Sequence, residues 1–240
     1  MTSTSVLQPF LAKLEKNSTF TDQDRAAVLA LPHTVRHLSP GQTLAHERGE
    51  PTHCFTVISG IVGRAKVLPD GSRQIVSVHI AGEGIDLHKF VSSEASHSVA
   101  SLTRAQVAVV RVRDLEQLFD RPDLRAAVWR EILFDAAIQR EWTLNVGRRN
   151  ARTRLAHFMC ELGWRLSNSG VGRDDSYVIN LTQDHLADIT GLTSVHVNRT
   201  LQSLKADGAI GRSARPVSVP NPAVLKTIAG FEDSYLHVAH

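Results

Sequence analysis

The stretch from Leu181 to Ile210 limits the possible folds of this chain more strongly than any other part of its sequence. It reads LTQDHLADITGLTSVHVNRTLQSLKADGAI. Thr182 can cap a first short helix through its side-chain oxygen, and Gly191 permits a sharp turn after that helix. Thr193 or Ser194 can then cap a second helix. This order of caps and turn predicts a helix-turn-helix.

The second of these two helices carries one apolar face and one polar face. Val197, Leu201 and Leu204 recur at helical spacing and are expected to face inward. The outward residues are Ser194, Val195, His196, Asn198, Arg199 and Gln202. They lie near the N-terminal half, where a recognition helix presents side chains to base edges in the major groove of DNA. A helical hairpin that binds nothing is the alternative interpretation.

Charge around this segment is basic, although the whole chain is nearly balanced. The formal net charge is +3, which permits nucleic-acid binding without requiring it. Asp207-Gly208 should end the second helix, and the strand-like residues 217–219 that follow favour a β-wing. The basic residues from 193 to 219 are Arg199, Lys205, Arg212 and Arg215, and a second basic run comprises Arg140, Arg148, Arg149, Arg152 and Arg154. On charge alone, each run fits a solvated face equally well.

A region rich in β-forming residues extends from about Leu38 to Val112. Its glycines, at positions 41, 49, 60, 71 and 82, recur at turn-like intervals, which predicts a sandwich, barrel or roll. Asp70-Gly71 should form a tight hairpin turn with positive φ at both residues. Two short packing helices, from Val6 to Leu14 and from Thr21 to Leu31, should precede it. The strand-like segments are CFTVI, IVGRAKVL, RQIVSVHI and AQVAVVRV.

A long helix is predicted from about Asp123 to Gly147. Its apolar residues cover more than one stripe, so the helix should bury one face on the β-rich domain and another against a second copy of the chain. Ile138 and Trp142 are expected at the contact between copies. The alternative is a helix buried wholly within its own monomer.

Several classes of protein are disfavoured by what the sequence lacks. The two cysteines, Cys54 and Cys160, are far apart and without CxxC spacing, which argues against a disulfide framework, a zinc finger or an iron–sulfur cluster. The sequence shows no apolar run of membrane-spanning length and no signal peptide, so we expect a cytoplasmic protein. It also lacks GxSxG, HExxH, P-loop and dinucleotide motifs, so we expect no enzyme activity.

The helix-turn-helix, the hairpin VLPDGSRQIV, the loop AGEGIDL and the stretch from Pro122 to Ala156 together resemble the catabolite-activator/Fnr (Crp/Fnr) family of transcription factors. This resemblance covers most of the chain. It implies an α+β fold: an N-terminal β-roll of the cyclic-nucleotide-binding jelly-roll type (1–120), a long dimerisation helix (121–149) and a C-terminal winged helix-turn-helix (150–240). It also implies a dimeric, sequence-specific DNA-binding transcription regulator.

The resemblance assigns roles to residues of the second helix and reveals one departure. It implies base readout by Ser194, Val195, Asn198 and Arg199, and phosphate contacts by Thr193 and His196. Independently of the resemblance, we expect further DNA contacts from Gln202 of the outward set and from Arg212 of the basic wing. Family members commonly have a glutamate where Val195 stands. Because valine can make only apolar contact, for instance with a thymine methyl group, the DNA half-site should differ from theirs. Arg199 remains suited to bidentate contact with guanine.

The sensor pocket departs from the family further. Cyclic-nucleotide-binding members have a Gly-Glu pair and an Arg-Ser-Ala triplet, whereas this chain has Asp86-Leu87-His88 and Ser96-His97-Ser98. Without a buried arginine, and with Asp86 added, a cyclic phosphate would meet repulsion. We therefore expect no cAMP binding and an effector of another kind. The candidate effector-binding residues are Asp86, Leu87, His88, His97, Ser98, Gln139 and Arg140.

Other functions remain open from sequence. Asp86, His88 and His97 could hold a divalent metal, or a histidine could bind haem, but we expect neither and no other cofactor. A small cupin-like metal-binding enzyme and an effector-binding adaptor without DNA binding are the alternative functions. The expected partners are double-stranded DNA with an inverted-repeat operator, a second copy of the chain and RNA polymerase, with no membrane partner.

Overall fold

The structure is a computed structural model that describes residues 5–49, 52–91, 96–169, 176–213 and 216–237. The chain divides into two compact units. The N-terminal unit contains the described residues up to Lys66 and those from Val78 to Ala136, and the C-terminal unit contains Val67–Ser77 and Ala137–His237. None of the helices in the described ranges is both long enough and apolar enough to span a membrane.

Two short helices open the N-terminal unit, as the sequence predicts. Helix α1 (Gln8–Glu15) buries Phe10, Leu11 and Leu14. Helix α2 (Asp22–Leu29) begins with a capping box, in which the Thr21 side chain accepts from the backbone N–H of Asp24 and the Asp24 side chain accepts from that of Thr21. These reciprocal hydrogen bonds satisfy two backbone donors that a helix start would otherwise leave unpaired.

The β-roll consists, within the described residues, of eight strands in two four-stranded sheets. The first sheet has the order β1-β8-β3-β6 and the second β2-β7-β4-β5. Their bounds are β1 His33–Leu38, β2 Thr43–Ala45, β3 His53–Ser59, β4 Val62–Val67, β5 Arg73–His79, β6 Gly84–Ile85, β7 Ser98–Ser101 and β8 Ala105–Arg111. The β-region therefore begins five residues before Leu38, because β1 pairs with β8 from His33 onward. All four strand-like segments are confirmed.

The turn between β4 and β5 differs from its prediction at one residue. Gly71 has a φ of 84°, but Asp70 is not among the described non-glycine residues with positive φ. The expectation of positive φ at both residues is thus wrong for Asp70. Its carboxylate instead accepts hydrogen bonds from the backbone N–H of Ser72 (2.9 Å) and from its hydroxyl (2.6 Å). This side-chain bond stabilises the turn, so only the glycine needs the left-handed conformation.

The apolar residues of the N-terminal unit form an inner and an outer core. The inner core includes Leu44, Phe55 and Val107, and the outer core includes α1 residues, Cys54 and Val110. Alternation along β3 and β8 produces this division, because successive side chains of a strand point to opposite faces of the sheet. Helix α3 (Val112–Glu116) follows the roll, and 3₁₀ turns lie at Leu87–Phe90 and Gln117–Asp120.

The long helix α4 (Pro122–Arg148) has 27 residues, which corresponds to about 40 Å. Leu124, Ala127 and Val128 join the outer core. Ile138 and Trp142 are also buried within the chain, at 3% and 6% exposure, so their expected place at a contact between copies is wrong. The exposed apolar residues of α4 are instead Trp129, Leu133, Leu144 and Val146. The alternative prediction, that this helix is buried wholly in its own monomer, is therefore also wrong.

The C-terminal unit has the helix-turn-helix and wing that the sequence predicts. Helix α5 (Ala151–Asn168) is followed by β9 (Tyr177–Ile179), α6 (Gln183–Thr190), α7 (Ser194–Ala206), β10 (Val217–Val219) and α8 (Pro222–Ala229), with a last 3₁₀ turn at Ser234–Leu236. Strands β9 and β10 pair antiparallel to form the base of the wing. Arg215 lies outside the described residues.

Candidate nucleic-acid interface and sensor cluster

Local hydrogen bonds fix the start of both motif helices. The Thr182 hydroxyl accepts from the backbone N–H of His185 (3.1 Å), and Nδ1 of His185 accepts from that of Thr182 (3.4 Å). The Thr193 hydroxyl accepts from the N–H of His196 (3.3 Å), which settles the second cap in favour of Thr193 over Ser194. The sequence predicted the Thr182 cap but not its reciprocal bond, because histidine replaces the usual glutamate or glutamine.

Helix α7 presents one exposed polar face. Val197, Leu201 and Leu204 are buried, and Gly191 adopts the left-handed conformation with a φ of 63°. All six outward residues of the prediction are exposed, namely Ser194, Val195, His196, Asn198, Arg199 and Gln202. Val195 is the most prominent large apolar side chain among them, at 77% exposure. The structure therefore brings the six together on one surface of one helix.

Two residues of this face are held by the preceding helix. The Ser194 hydroxyl donates to Asp184 (2.7 Å), and the Asn198 amide donates to Gln183 (3.2 Å). Within the described part of the chain, Arg199 forms no ion pair. The face thus has two side chains with fixed orientation beside an arginine available to an external acceptor.

Several arginines of the second basic run have internal partners. Arg154 donates to the carbonyl oxygens of Thr190 and Arg149, each at 2.9 Å, and so satisfies the end of α6. Arg149 pairs with Glu141 (2.6 Å). Arg152 pairs with Asp207, the one acid in the sequence from residue 193 to 219.

A contact between the β4–β5 hairpin and α6 was not foreseen from sequence. Arg73 pairs with Asp188 at 2.6 Å, and the Gln74 amide donates to the carbonyl oxygen of Ile189 at 3.1 Å. These residues are 115 positions apart, so no local pattern could reveal the contact.

Asp86 is the centre of a buried cluster of charges in the N-terminal unit. Its Oδ1 accepts from Nε of Arg64 (3.0 Å) and lies 2.8 Å from Nε2 of His97, and its Oδ2 lies 2.8 Å from Nζ of Lys89. Burial opposes ionisation of Asp86, but the His97 hydrogen bond and the charge of Arg64 outweigh it and hold its pKa far below the ordinary value. Arg64 also pairs with Asp135 at 2.5 Å.

This cluster corrects one premise of the sensor prediction. A buried arginine is present after all, since the side chain of Arg64 in β4 is only 8% exposed. Arg64 lies outside the segment that corresponds to the family's Arg-Ser-Ala triplet, which here is Ser96-His97-Ser98. Two carboxylates, Asp86 and Asp135, already neutralise its guanidinium. A cyclic phosphate would therefore meet an arginine whose charge is already satisfied.

The other candidate effector residues have varied surroundings. Leu87 packs in the outer core, the Ser98 hydroxyl donates to the carbonyl oxygen of Ala65 (3.1 Å), and burial lowers the pKa of His88. In the C-terminal unit, the Gln139 amide donates to the carbonyl oxygen of Val76 (2.7 Å), and Arg140 is exposed. Asp86 and His97 are therefore in direct contact. The hydrogen bonds of the described residues do not connect all seven candidate effector residues.

The remaining residues to consider are the possible metal ligands and the two cysteines. Among the described residues, no group of three or more His, Cys, Asp or Glu side chains could hold a metal ion. Cys54 and Cys160 are both buried, and burial raises the pKa of each thiol to about 12. Both therefore remain protonated and pack as small apolar side chains.

Comparison with known proteins covers both units. Residues 35–122 match the model of the cyclic nucleotide-binding domain, and residues 153–228 match that of the Crp-like helix-turn-helix domain. The chain is 29% identical over 215 residues to the nitrogen fixation regulation protein FixK of Bradyrhizobium diazoefficiens, covering 86% of this chain and 87% of that one. It is 22% identical over 194 residues to the fumarate and nitrate reduction regulatory protein of Salmonella typhimurium, covering 80% and 77%.

Solved structures support the same fold. FixK2 from Bradyrhizobium japonicum superposes with a TM-score of 0.75 at 22% identity, covering 84% of this chain and 100% of that one. A CRP-family transcriptional regulator from Thermus thermophilus superposes with a TM-score of 0.68 at 17% identity, covering 85% and 100%. The β-roll, the long helix and the helix-turn-helix therefore occur together in known structures.

Proposed function

The chain belongs to the Crp/Fnr family of DNA-binding transcription regulators, and from that premise we propose that it reads an inverted-repeat operator through α7. One observation carries the proposal: α7 exposes a polar face whose arginine, Arg199, forms no ion pair among the described residues. A helix of this kind fits the major groove, where side chains near its N-terminus reach base edges.

We assign each DNA contact according to the chemistry of the side chain that makes it. Arg199 contacts guanine in bidentate fashion, and Val195 packs on a thymine methyl group. Ser194, Asn198 and Gln202 complete the base contacts, of which the first two are oriented by their bonds to α6. Thr193, His196 and Arg212 contact phosphates, which sets the register of the protein on DNA without reading sequence.

Crp/Fnr regulators bind DNA and act as dimers, and we assign the dimer contact to one stripe of α4. Trp129, Leu133 and Leu144 are spaced by 4 and 11 residues and so share one helix face. Their exposures in the single chain are 40%, 55% and 46%. Exposed apolar side chains on one helix face support a face that a second copy covers.

For the N-terminal unit we propose a sensor role with an effector other than cAMP. Because Asp86 and Asp135 neutralise Arg64, a cyclic phosphate would have to displace a carboxylate from it. Residues 1–120 would act as the sensor, 121–149 as the dimerisation segment and 150–240 as the DNA reader. The regulator would work in the cytoplasm with RNA polymerase as its further partner.

Neither alternative function is favoured. The relatives are transcription regulators, which are not enzymes, so a cupin-like enzyme is not supported. An adaptor that does not bind DNA is disfavoured by the match to the Crp-like helix-turn-helix domain.

Selection of bound sequences from random DNA tests the proposal. The selected site should be an inverted repeat, and millimolar cAMP should leave its affinity unchanged. Arg199→Ala should weaken binding by about 1–3 kcal/mol per half-site and relax the preference at one base pair. Arg212→Ala should weaken all sequences alike and reduce the salt slope by about one.

Two further variants sharpen this experiment. Val195→Glu should shift the preference toward a cytosine-containing pair, because a carboxylate accepts from the cytosine amino group. Arg104→Ala, at an exposed arginine of the N-terminal unit, is the matched control and should change neither affinity nor preference. An equal loss of affinity for every single-base variant in Arg199→Ala would make Arg199 a phosphate contact and contradict its assignment.

A further inference from the structure

A cavity of about 330 Å³ in the N-terminal unit combines apolar lining residues with arginine, lysine and histidine side chains. Residues of both sheets bound it, together with Lys89 and His97. The basic lining residues are Arg36, His46, His53, Lys89 and His97. Its volume is at the lower end of the range for sites that bind small organic molecules.

Strand register explains why this cavity has an apolar floor. Val109 of β8 lies opposite both Thr34 of β1 and Phe55 of β3, and Arg36 lies opposite Val107. Directly opposed residues share one face of a sheet, so Arg36 lies on the same inner face as Phe55. Phe55 belongs to the inner core, and the floor of the cavity is therefore continuous with that core.

Of the arginine and lysine in the lining, only Lys89 has an acidic partner among the described residues. Lys89 and His97 are both bonded to Asp86, each at 2.8 Å. Arg36 is exposed and forms no ion pair with any described residue, and none of the described lining residues is a carboxylate. A basic rim above an apolar floor complements a ligand that has one anionic group and one apolar body.

We propose that this cavity binds a small organic carboxylate, with its apolar body against Phe55 and its carboxylate at Arg36. A guanidinium matches the two oxygens of a carboxylate in bidentate fashion. Arg64 and Asp86 are not among the described lining residues, whereas Lys89 and His97, which contact Asp86, are. The inference rests on the proposed sensor role of this unit and names the chemistry of its ligand.

Binding of benzoate to the full-length protein tests the proposal in the absence of DNA. Thermal unfolding and ligand-observed NMR should show saturable binding of one benzoate per chain. Benzamide has the same shape without the charge and should bind at least about tenfold more weakly, since a hydrogen bond to a charged group is lost. Inorganic phosphate, which lacks the apolar body, should also bind more weakly than benzoate.

The variants locate the site. Arg36→Gln should weaken benzoate binding about tenfold or more, and Arg104→Gln, an exposed arginine outside the lining, should leave it unchanged. Equal binding of benzoate and benzamide, tighter binding of phosphate than of benzoate, an unaltered affinity in Arg36→Gln or no benzoate binding would each overturn the proposal. Because no DNA is present, none of these results would bear on operator binding.

Discussion

His157 is a buried histidine in α5 whose protonation is coupled to folding. It is 1% exposed, and its Nδ1 has no hydrogen-bond partner among the described residues. Burial, and then the charge of Arg149, lower its pKa to about 4 although Nε2 lies 3.2 Å from Glu141. The unfolded chain therefore binds this proton more readily, and the stability is fully present above about pH 6.5 and falls as the pH drops from there to about 4.

Replacement of His157 should remove this part of the pH dependence. Between about pH 6.5 and pH 5 the wild type should lose about 1.5 kcal/mol of unfolding free energy through this one side chain, because the slope approaches about 1.4 kcal/mol per pH unit only below pH 6.5. Urea unfolding at both pH values should show that loss reduced in His157→Gln. The variant His196→Gln, which replaces an exposed histidine, should lose as much unfolding free energy over this pH range as the wild type does. Equal pH slopes in His157→Gln and the wild type would show that His157 is not the titrating group.

Arg64 is a single residue whose burial and partners the sequence did not predict. It stands 22 residues from Asp86 and 71 from Asp135, so only the packing of β4, the loop after β6 and α4 brings the three together. An arginine within the apolar strand segment IVGRAKVL was the one available signal, since a buried arginine requires carboxylate partners. Which partners it has depends on the tertiary fold.

Among elements, those defined by local chemistry were predicted well. Helices α6 and α7 have the caps, glycine turn and buried face that the sequence indicates, because each depends on residues within four positions of one another. The contact of Arg73 and Gln74 with α6 was missed because it depends on where the β4–β5 hairpin lies. The faces of α4 were also assigned incorrectly, since helical spacing alone does not tell which apolar stripe the chain itself covers.

The exposed stripe of α4 yields a prediction about assembly. Leu133→Glu should place a charge in the contact between copies, where it has no partner, and weaken the dimer by about two orders of magnitude or more. Sedimentation of the DNA-free protein over a concentration series measures the change. The wild type should sediment as a dimer at micromolar concentration.

A matched substitution separates assembly from general loss of solubility or stability. Val178 of β9 is 51% exposed, close to the 55% of Leu133, and lies outside α4. Val178→Glu should therefore remain dimeric. A dimer that persists in Leu133→Glu would assign the contact to a different surface, and a monomeric wild type would contradict the role of α4 altogether.

For the whole molecule, the helix-turn-helix motif gave the most specific information, and segments elsewhere in the chain extended it. The resemblance to the family rested on the helix-turn-helix, the hairpin VLPDGSRQIV, the loop AGEGIDL and the stretch from Pro122 to Ala156. The two matched domain models cover the β-rich region and the helix-turn-helix, on either side of the long helix. The ligand class of the sensor unit could not be inferred in this way. Its cavity is built from residues between Arg36 and Val109 that only the pairing of two sheets brings together.

A dimer with two-fold symmetry requires an operator with matching symmetry. Two copies of α7 should enter successive major grooves on one side of the DNA, with half-site centres about 34 Å apart. A base change in both half-sites should then cost about twice the roughly 1–3 kcal/mol of the same change in one. Insertion of about 5 base pairs at the centre should rotate one half-site by half a helical turn and reduce affinity to that of a single half-site.

Fluorescence anisotropy with labelled duplexes measures each of these affinities at one salt concentration, because phosphate contacts make the absolute values salt-dependent. A central substitution that keeps the length is the control, and it should alter affinity far less than the insertion does. The Leu133→Glu variant should bind the intact and the expanded operator equally, since separate monomers do not require a fixed spacing. If the wild type also tolerates the insertion, the two recognition helices are not held at one distance, and the symmetric dimer must be abandoned as the DNA-binding form.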